Sequence, residues 1–98
     1  MKLDKKSIVK NLLNGMYLLK RKNHNDVPGY KIYSGNMVPE SFITERQVRS
    51  LEKTSPYSLF KKDAKERLTL NLSNIRRLHG NHWIKKVYRK HLLTKSQK

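Results

Sequence analysis

The stretch HGNHWIKKVYRKHLL, residues 79–93, gathers side chains that suit the binding of an anion or a metal ion. Four cations fill one half of a helical wheel drawn over residues 82–93: Lys85, Lys86, Arg89 and Lys90. Apolar and aromatic side chains and one histidine fill the other half: Trp83, Ile84, Val87, Tyr88, His91 and Leu92. This segregation predicts a helix with its aromatic side in the core and its basic side along phosphates or in a major groove.

Two other interpretations of this helix stay open. A run of basic residues is often only a solvated helix face, but no acid lies four residues from these cations, which favours phosphate contact. The pattern of Trp83, Val87 and Leu92 on a basic helix is also typical of calmodulin targets and of helices that lie on membrane surfaces.

The histidines and acids make poor candidates for catalysis or metal binding. His79 and His82 are three residues apart, but the chain has no cysteine and no acid beyond Glu66, so ligands for zinc are lacking. The seven acids are scattered among basic residues, and no glycine-rich phosphate loop matches a nucleotide fingerprint. We therefore expect no enzyme, no metal and no cofactor.

The charge of the chain points to a polyanionic partner. The 98 residues carry 23 Lys and Arg against 7 Asp and Glu, a net charge of +16. Residues 61–98 hold twelve of the basic and two of the acidic side chains, whereas residues 37–60 are neutral. Such asymmetry favours nucleic acid as a partner. The sequence shows no membrane-spanning run and no signal peptide, so we expect a cytoplasmic or nucleoid-associated protein that is not secreted.

Periodicity predicts a small single α+β domain over residues 1–93, with a frayed basic tail at 94–98. Apolar residues on one helical face predict a helix over 5–14. Strand formers around the turn NDVPG predict a hairpin over 16–34. The capping box formed by Thr44 and Gln47 predicts a helix over 44–53.

The second half predicts another hairpin and two basic helices. Leu68, Leu70 and Leu72 alternate with polar residues, which predicts a strand that pairs with residues 57–60, with the basic segment 61–66 as the hairpin tip. A single helix over residues 73–93 would have two unrelated apolar faces. Gly80 and Asn81, as a C-cap and a new N-cap, predict helices 74–79 and 82–93 instead.

The segment ITERQVRSLEK, followed by the hairpin YSLFKKDAKERLTLNL, resembles the recognition helix and wing of winged helix-turn-helix DNA-binding domains, over residues 43–72. The resemblance implies base reading by side chains of the helix: Arg46, Gln47, Arg49 and Ser50. It also implies that Lys61, Lys62 and Lys65 at the wing tip contact the DNA backbone. Arg suits guanine edges and Gln suits adenine edges.

These observations predict a non-enzymatic double-stranded DNA-binding regulator, such as one carried by a phage or mobile element. Electrostatic backbone contacts are expected from the hairpin tip and the C-terminal helices: Lys61, Lys62, Lys65, Arg76, Arg77, Lys85, Lys86, Arg89 and Lys90. One alternative is an RNA-binding ribosomal or ribosome-associated protein that stacks bases on exposed rings of Tyr30, Tyr33, Tyr57 and Phe60. Another is an inhibitor or adaptor that binds an acidic protein surface through residues 37–60. The oligomeric state stays open.

Overall fold

A computed structural model describes residues 4–34 and 39–96 of the chain. The elements in that part follow in this order: α1 (Lys5–Leu13), β1 (Tyr17–Lys22), β2 (Pro28–Tyr33), β3 (Pro39–Thr44), α2 (Glu45–Lys53), β4 (Phe60–Lys62), β5 (Leu68–Leu70), α3 (Leu72–Arg76) and α4 (Trp83–Ser96). The predicted fold class is confirmed: a small α+β structure with an N-terminal helix, two hairpins, a central helix and two C-terminal helices.

The two hairpins, β1–β2 and β4–β5, form one antiparallel sheet together with β3, in the strand order β3-β2-β1-β5-β4. They meet where Leu18 of β1 lies opposite Leu68 of β5. The sequence patterns did not predict β3, an edge strand whose Pro39 is its first residue, a position where a missing N–H is tolerated. Thr44 ends β3 and caps α2, so the strand leads directly into the helix.

Strand partners point to the same side of a sheet, and the register therefore separates two faces. The face with Leu18, Ile32 and Ile43 belongs to the main core. Helix side chains complete that core: Ile8, Val9, Leu12, Val48, Leu51, Ile75, Ile84, Val87 and Tyr88. The opposite face holds a smaller cluster in which the rings of Tyr17 and Tyr33 stack at 5.7 Å. Arg67 lies over the Tyr17 ring, with its Cζ 5.1 Å from the centroid.

Both hairpin turns have the same hydrogen-bond pattern. Asn23 begins the first turn, and its Oδ1 accepts from the backbone N–H groups two and four residues later, at 2.8 and 3.0 Å. Asp63 does the same in the second turn, with both distances 2.9 Å. The fourth residue of each turn, Asp26 or Glu66, takes a left-handed conformation with φ of 66° or 63°. A left-handed residue that is not glycine costs about 1–2 kcal/mol.

Replacement of Glu66 by glycine should therefore stabilise the fold. We expect the Glu66→Gly variant to raise the free energy of unfolding by about 0.5–1 kcal/mol, because relief of the strained φ outweighs the extra flexibility of the unfolded chain. Urea denaturation measures this change. Lys65→Gly, in the same turn but without a positive φ, is the control and should give no gain. Equal effects of the two substitutions would contradict the explanation.

The last two helices differ in their bounds from the prediction. Asn71 caps α3 by accepting the N–H of Asn74 at 3.2 Å, so the helix covers Leu72–Arg76 and not 74–79. Leu72 is consequently the first residue of α3, and the predicted strand stops at Leu70. The predicted tail is helical up to Ser96 because α4 continues past residue 93, while residues 97–98 lie outside the described part.

The break between α3 and α4 is confirmed, but Gly80 and Asn81 are not its caps. α3 ends at Arg76, and Arg77 is its C-cap. His82 precedes α4, where its Nδ1 accepts the N–H of Ile84 at 3.2 Å and its carbonyl accepts the N–H of Lys86 at 3.0 Å. A histidine therefore takes the place of the asparagine as the residue that satisfies the first turn.

Candidate nucleic-acid interface

A groove of about 390 Å³ lies where α1 packs against α4. The half-buried Trp83 and the buried Val87 form its apolar base. Five exposed cations surround that base: Lys6, Lys10, Lys86, Arg89 and Lys90. No carboxylate side chain lines the groove. Its chemistry suits an elongated anion with some apolar surface.

Helical spacing explains how α4 presents this surface. Trp83, Lys86, Val87 and Lys90 follow at i, i+3, i+4 and i+7, so they share one face of the helix. The neighbouring positions Ile84 and Tyr88 are buried in the main core and fix the rotation of α4. The predicted amphipathic helix is therefore present. Leu92 differs from the prediction because it is exposed and lies outside the core.

Lys6 and Lys10 were missed as candidates. They are one turn apart on α1, and the burial of Ile8, Val9 and Leu12 leaves both at the surface. That spacing could be read from the sequence. The sequence did not reveal that α1 packs beside α4. This packing adds the two lysines to the basic side of α4.

Lys85 does not join the other three cations of the predicted basic half of α4. It is half-buried, and its Nζ donates to the backbone carbonyl of Arg76 at the C-terminal end of α3. A cation at that position satisfies a carbonyl that the helix leaves without a partner. Lys85 therefore serves the α3–α4 junction, while Lys86, Arg89 and Lys90 line the groove.

The two arginines at the C-terminal end of α3, Arg76 and the C-cap Arg77, are exposed but already contact aromatic side chains. Arg76 donates from Nε to the hydroxyl of Tyr88 at 3.0 Å. Arg77 lies over the ring of Tyr57, with its Cζ 4.2 Å from the centroid. These contacts hold both guanidinium groups in fixed positions on the surface.

The predicted wing tip is shorter than expected, because Lys61 and Lys62 belong to β4 and only residues 63–66 form the turn. Consecutive strand residues point to opposite faces, so these two exposed lysines are not neighbours on one surface. Lys65 is exposed in the turn itself, where its N–H binds Asp63. The structure therefore does not bring the three lysines together.

Helix α2 brings together three of its four predicted base-reading residues. Arg46, Arg49 and Ser50 line a shallow depression of about 300 Å³ with Lys53. Gln47 is not among them, because it is half-buried and forms the capping box. Its Oε1 accepts the N–H of Thr44 at 3.0 Å, and its own N–H donates to the hydroxyl of Thr44 at 3.1 Å. Gln47 therefore cannot read a base without releasing the helix cap.

Substitutions in α2 should separate these two roles. We expect Gln47→Ala to lower the free energy of unfolding by about 1 kcal/mol, because the capping box is lost. Its affinity for duplex DNA should stay within about twofold of the unsubstituted chain. Arg49→Ala should leave stability within about 0.5 kcal/mol and weaken DNA binding instead. Urea denaturation measures the change in stability, and fluorescence anisotropy measures the change in DNA affinity. If Gln47→Ala weakened DNA binding and Arg49→Ala did not, the assignment of Gln47 to the cap and Arg49 to DNA contact would be contradicted.

Acidic side chains do little to neutralise the positive charge of the groove cations. Within residues 4–34 and 39–96 the ion pairs are Lys22–Asp26 at 3.9 Å and Arg67–Asp63 at 2.7 Å, and neither lies in the groove. Asp4 places one negative charge at the N-terminus of α1. Hydrogen bonds from the backbone and side chain of Ser7, and then the charges of Lys6 and Lys10, hold the pKa of Asp4 below its usual value. Its carboxylate is already used as the N-cap of α1, at 2.7 Å from the Ser7 nitrogen.

Two of the four histidines, His79 and His82, take part in hydrogen bonds. His82 Nε2 lies 2.5 Å from the carbonyl oxygen of Thr54, which ties the start of α4 to the end of α2. His79 Nδ1 accepts the N–H of Asn81 at 3.1 Å. Among the described residues, no group of three His, Asp or Glu side chains could hold a metal ion. None of the helices in that same part is long and apolar enough to cross a bilayer.

The aromatic rings proposed as stacking platforms are not exposed together. Tyr33 and Phe60 are each 8% exposed, and they belong to different clusters. Tyr30 and Tyr57 are half-buried and pack against the main core. These four rings therefore do not form a surface on which RNA bases could stack.

Comparison with known proteins finds no matching family model, no matching curated protein and no matching solved structure.

Proposed function

We propose that this chain is a non-enzymatic nucleic-acid-binding protein that contacts the phosphate backbone of duplex DNA through the α1–α4 groove. The observation that carries the proposal is the group of five cations around Trp83 and Val87. None of these five cations makes an ion pair within the described residues. Cations held this close together repel one another, and phosphates relieve that repulsion.

Counterion release supplies the driving force for this kind of binding. Each lysine or arginine that neutralises a phosphate releases condensed counterions, so the affinity falls steeply as salt rises. The net charge of +16 adds attraction at long range. Binding of this type depends weakly on sequence.

Base reading by α2 is the finer part of the proposal. Arg46, Arg49 and Ser50 share an exposed side of the helix and carry suitable donors for base edges in a major groove. The resemblance of residues 43–72 to winged helix-turn-helix domains stays a prediction. A regulator of transcription would need such a reading surface in addition to the groove.

Binding to single-stranded RNA is a second candidate, and one observation favours it. Trp83 is only half-buried and lies among the groove cations, where a base could stack on its ring while the cations contact the backbone. A strand with unpaired bases would use both features.

Fluorescence anisotropy with matched duplex DNA, duplex RNA and single strands, each at two salt concentrations, tests the proposal. The expected result is tightest binding to duplex DNA, with a steep fall in affinity at the higher salt. Tighter binding to single-stranded RNA, accompanied by quenching of Trp83 fluorescence, would move the function to the second candidate. Absence of binding to every nucleic acid at about physiological salt would contradict both.

A further inference from the structure

A second groove lies on another part of the surface, between the C-terminal end of α1, the β4–β5 hairpin and α4. Its volume is about 400 Å³, close to that of the α1–α4 groove. Apolar side chains supply half of its lining residues: Leu12, Leu13, Met16, Leu70, Leu72 and Leu92. Three basic side chains also line it, Lys61, Arg76 and His91, and no acid does.

Exposed leucines set this groove apart from the rest of the surface. The large hydrophobic residues exposed in the described part are Val27, Leu72, Leu92 and Leu93. Leu72 is 39% exposed and Leu92 is 44% exposed, and both line the groove. Leu93, the next residue of α4, is 63% exposed. Clustered exposed apolar side chains mark interaction sites more often than scattered ones do.

We infer that this groove, which we call the leucine groove, docks an acidic amphipathic segment of a partner protein. The apolar lining takes the leucine or phenylalanine side chains of such a segment, and the basic side chains attract its carboxylates. Charge complementarity selects this occupant. A second copy of the chain would bring its own +16 charge against Lys61 and Arg76 and would be repelled.

Nucleic acid is a poorer occupant of the leucine groove than of the α1–α4 groove. Phosphates gain nothing from exposed leucines, and the aromatic ring that could stack on a base, Trp83, lies in the other groove. Arg76 is also held in place by its hydrogen bond to Tyr88, so its guanidinium is positioned for a carboxylate before the partner arrives.

The test uses a synthetic peptide of about 16 residues, blocked at both ends, with leucines at helical i, i+3, i+4 and i+7 spacing and glutamates elsewhere. A peptide of the same composition in scrambled order is the control ligand. Each peptide is titrated into the full chain, and isothermal titration calorimetry measures the affinity. The patterned peptide should bind at least tenfold more tightly than the scrambled peptide. Equal binding of the two peptides would overturn the inference, because charge alone would then explain it.

Charge-neutral variants locate the contact. The double variant Leu72→Ser and Leu92→Ser should weaken binding of the patterned peptide at least tenfold, while Val27→Ser, at 45% exposure on the β1–β2 turn, should leave it unchanged. Thermal unfolding establishes that both variants fold. Undiminished peptide binding by the double variant would overturn the inference. The inference would also be overturned if the double variant lost binding to phosphatidylglycerol vesicles but kept its binding to the peptide.

The same variants keep this inference separate from the proposed function. They change no charge, so the affinity for duplex DNA should stay within about twofold of the unsubstituted chain. A failure of peptide binding alone would therefore contradict only the leucine groove, and a failure of DNA binding alone would contradict only the α1–α4 groove.

Discussion

The triple variant Lys10→Ala, Lys86→Ala and Lys90→Ala is expected to bind duplex DNA at least about 100-fold more weakly than the unsubstituted chain at about 0.1 M salt. All three lysines line the α1–α4 groove and are exposed. The slope of log affinity against log salt should become shallower by about 0.9 for each phosphate that the variant no longer neutralises, roughly 2–3 in all. Fluorescence anisotropy at four or more salt concentrations measures both quantities.

A charge-matched control separates the groove from the total charge. The variant Lys20→Ala, Arg21→Ala and Lys22→Ala also removes three cations, but from exposed positions on β1 outside the groove. Its affinity should fall by less than about tenfold, and it should keep most of its salt slope. Equal decreases in the two triple variants would show that binding follows net charge and that the groove has no particular role.

The substitution Gly29→Ala is expected to give the largest loss of stability from a single methyl group. A Cβ at this position would lie 2.5 Å from Cζ of Phe42 and 2.7 Å from the carbonyl oxygen of Ile43. The ring of Phe42 can turn aside, but the carbonyl is part of β3 and cannot move without distorting the β2–β3 pairing, in which Gly29 lies opposite Thr44. We expect the free energy of unfolding to fall by about 3 kcal/mol and Tm by roughly 15 °C for a chain of this size.

Gly80→Ala is the matched control for this substitution. The nearest atoms to its added Cβ would belong to the Arg89 guanidinium, at 3.4 to 3.8 Å, and that flexible side chain can adjust. Stability should therefore change by less than about 0.5 kcal/mol. Urea denaturation of both variants gives the comparison, and similar losses of stability at the two positions would rule out close strand approach as the reason for glycine at position 29.

Local signals in the sequence were sufficient for much of the fold. Asp4 and Thr44 begin α1 and α2 through hydrogen bonds to residues three positions ahead, and these contacts depend only on neighbours in the chain. The alternation around Leu68 and Leu70 likewise predicts a strand with one buried face. Such short-range patterns are readable because period and capping chemistry act within a few residues.

Features set by competition or by distant contacts were harder to predict. Gln47 had two suitable roles, as a capping residue and as a base reader, and the cap was the one available without a partner. The shared geometry of the two hairpin turns was hidden because the first residues, Asn23 and Asp63, and the fourth, Asp26 and Glu66, have similar chemistry while the two residues between them differ. The groove depends on α1 packing against α4, two helices at opposite ends of the chain. No local pattern specifies that packing.

The central claim is that the α1–α4 groove binds nucleic acid, and a titration of ¹⁵N-labelled protein with a short DNA duplex tests it most directly. The predicted result is that the backbone amides of α1 and of α4 around Lys86–Lys90 shift first and most. Smaller shifts should follow in α2 near Arg46 and Arg49. Shifts confined to the β1–β2 turn and the β4–β5 hairpin, with the amides of α1 and α4 unchanged at saturation, would contradict the claim.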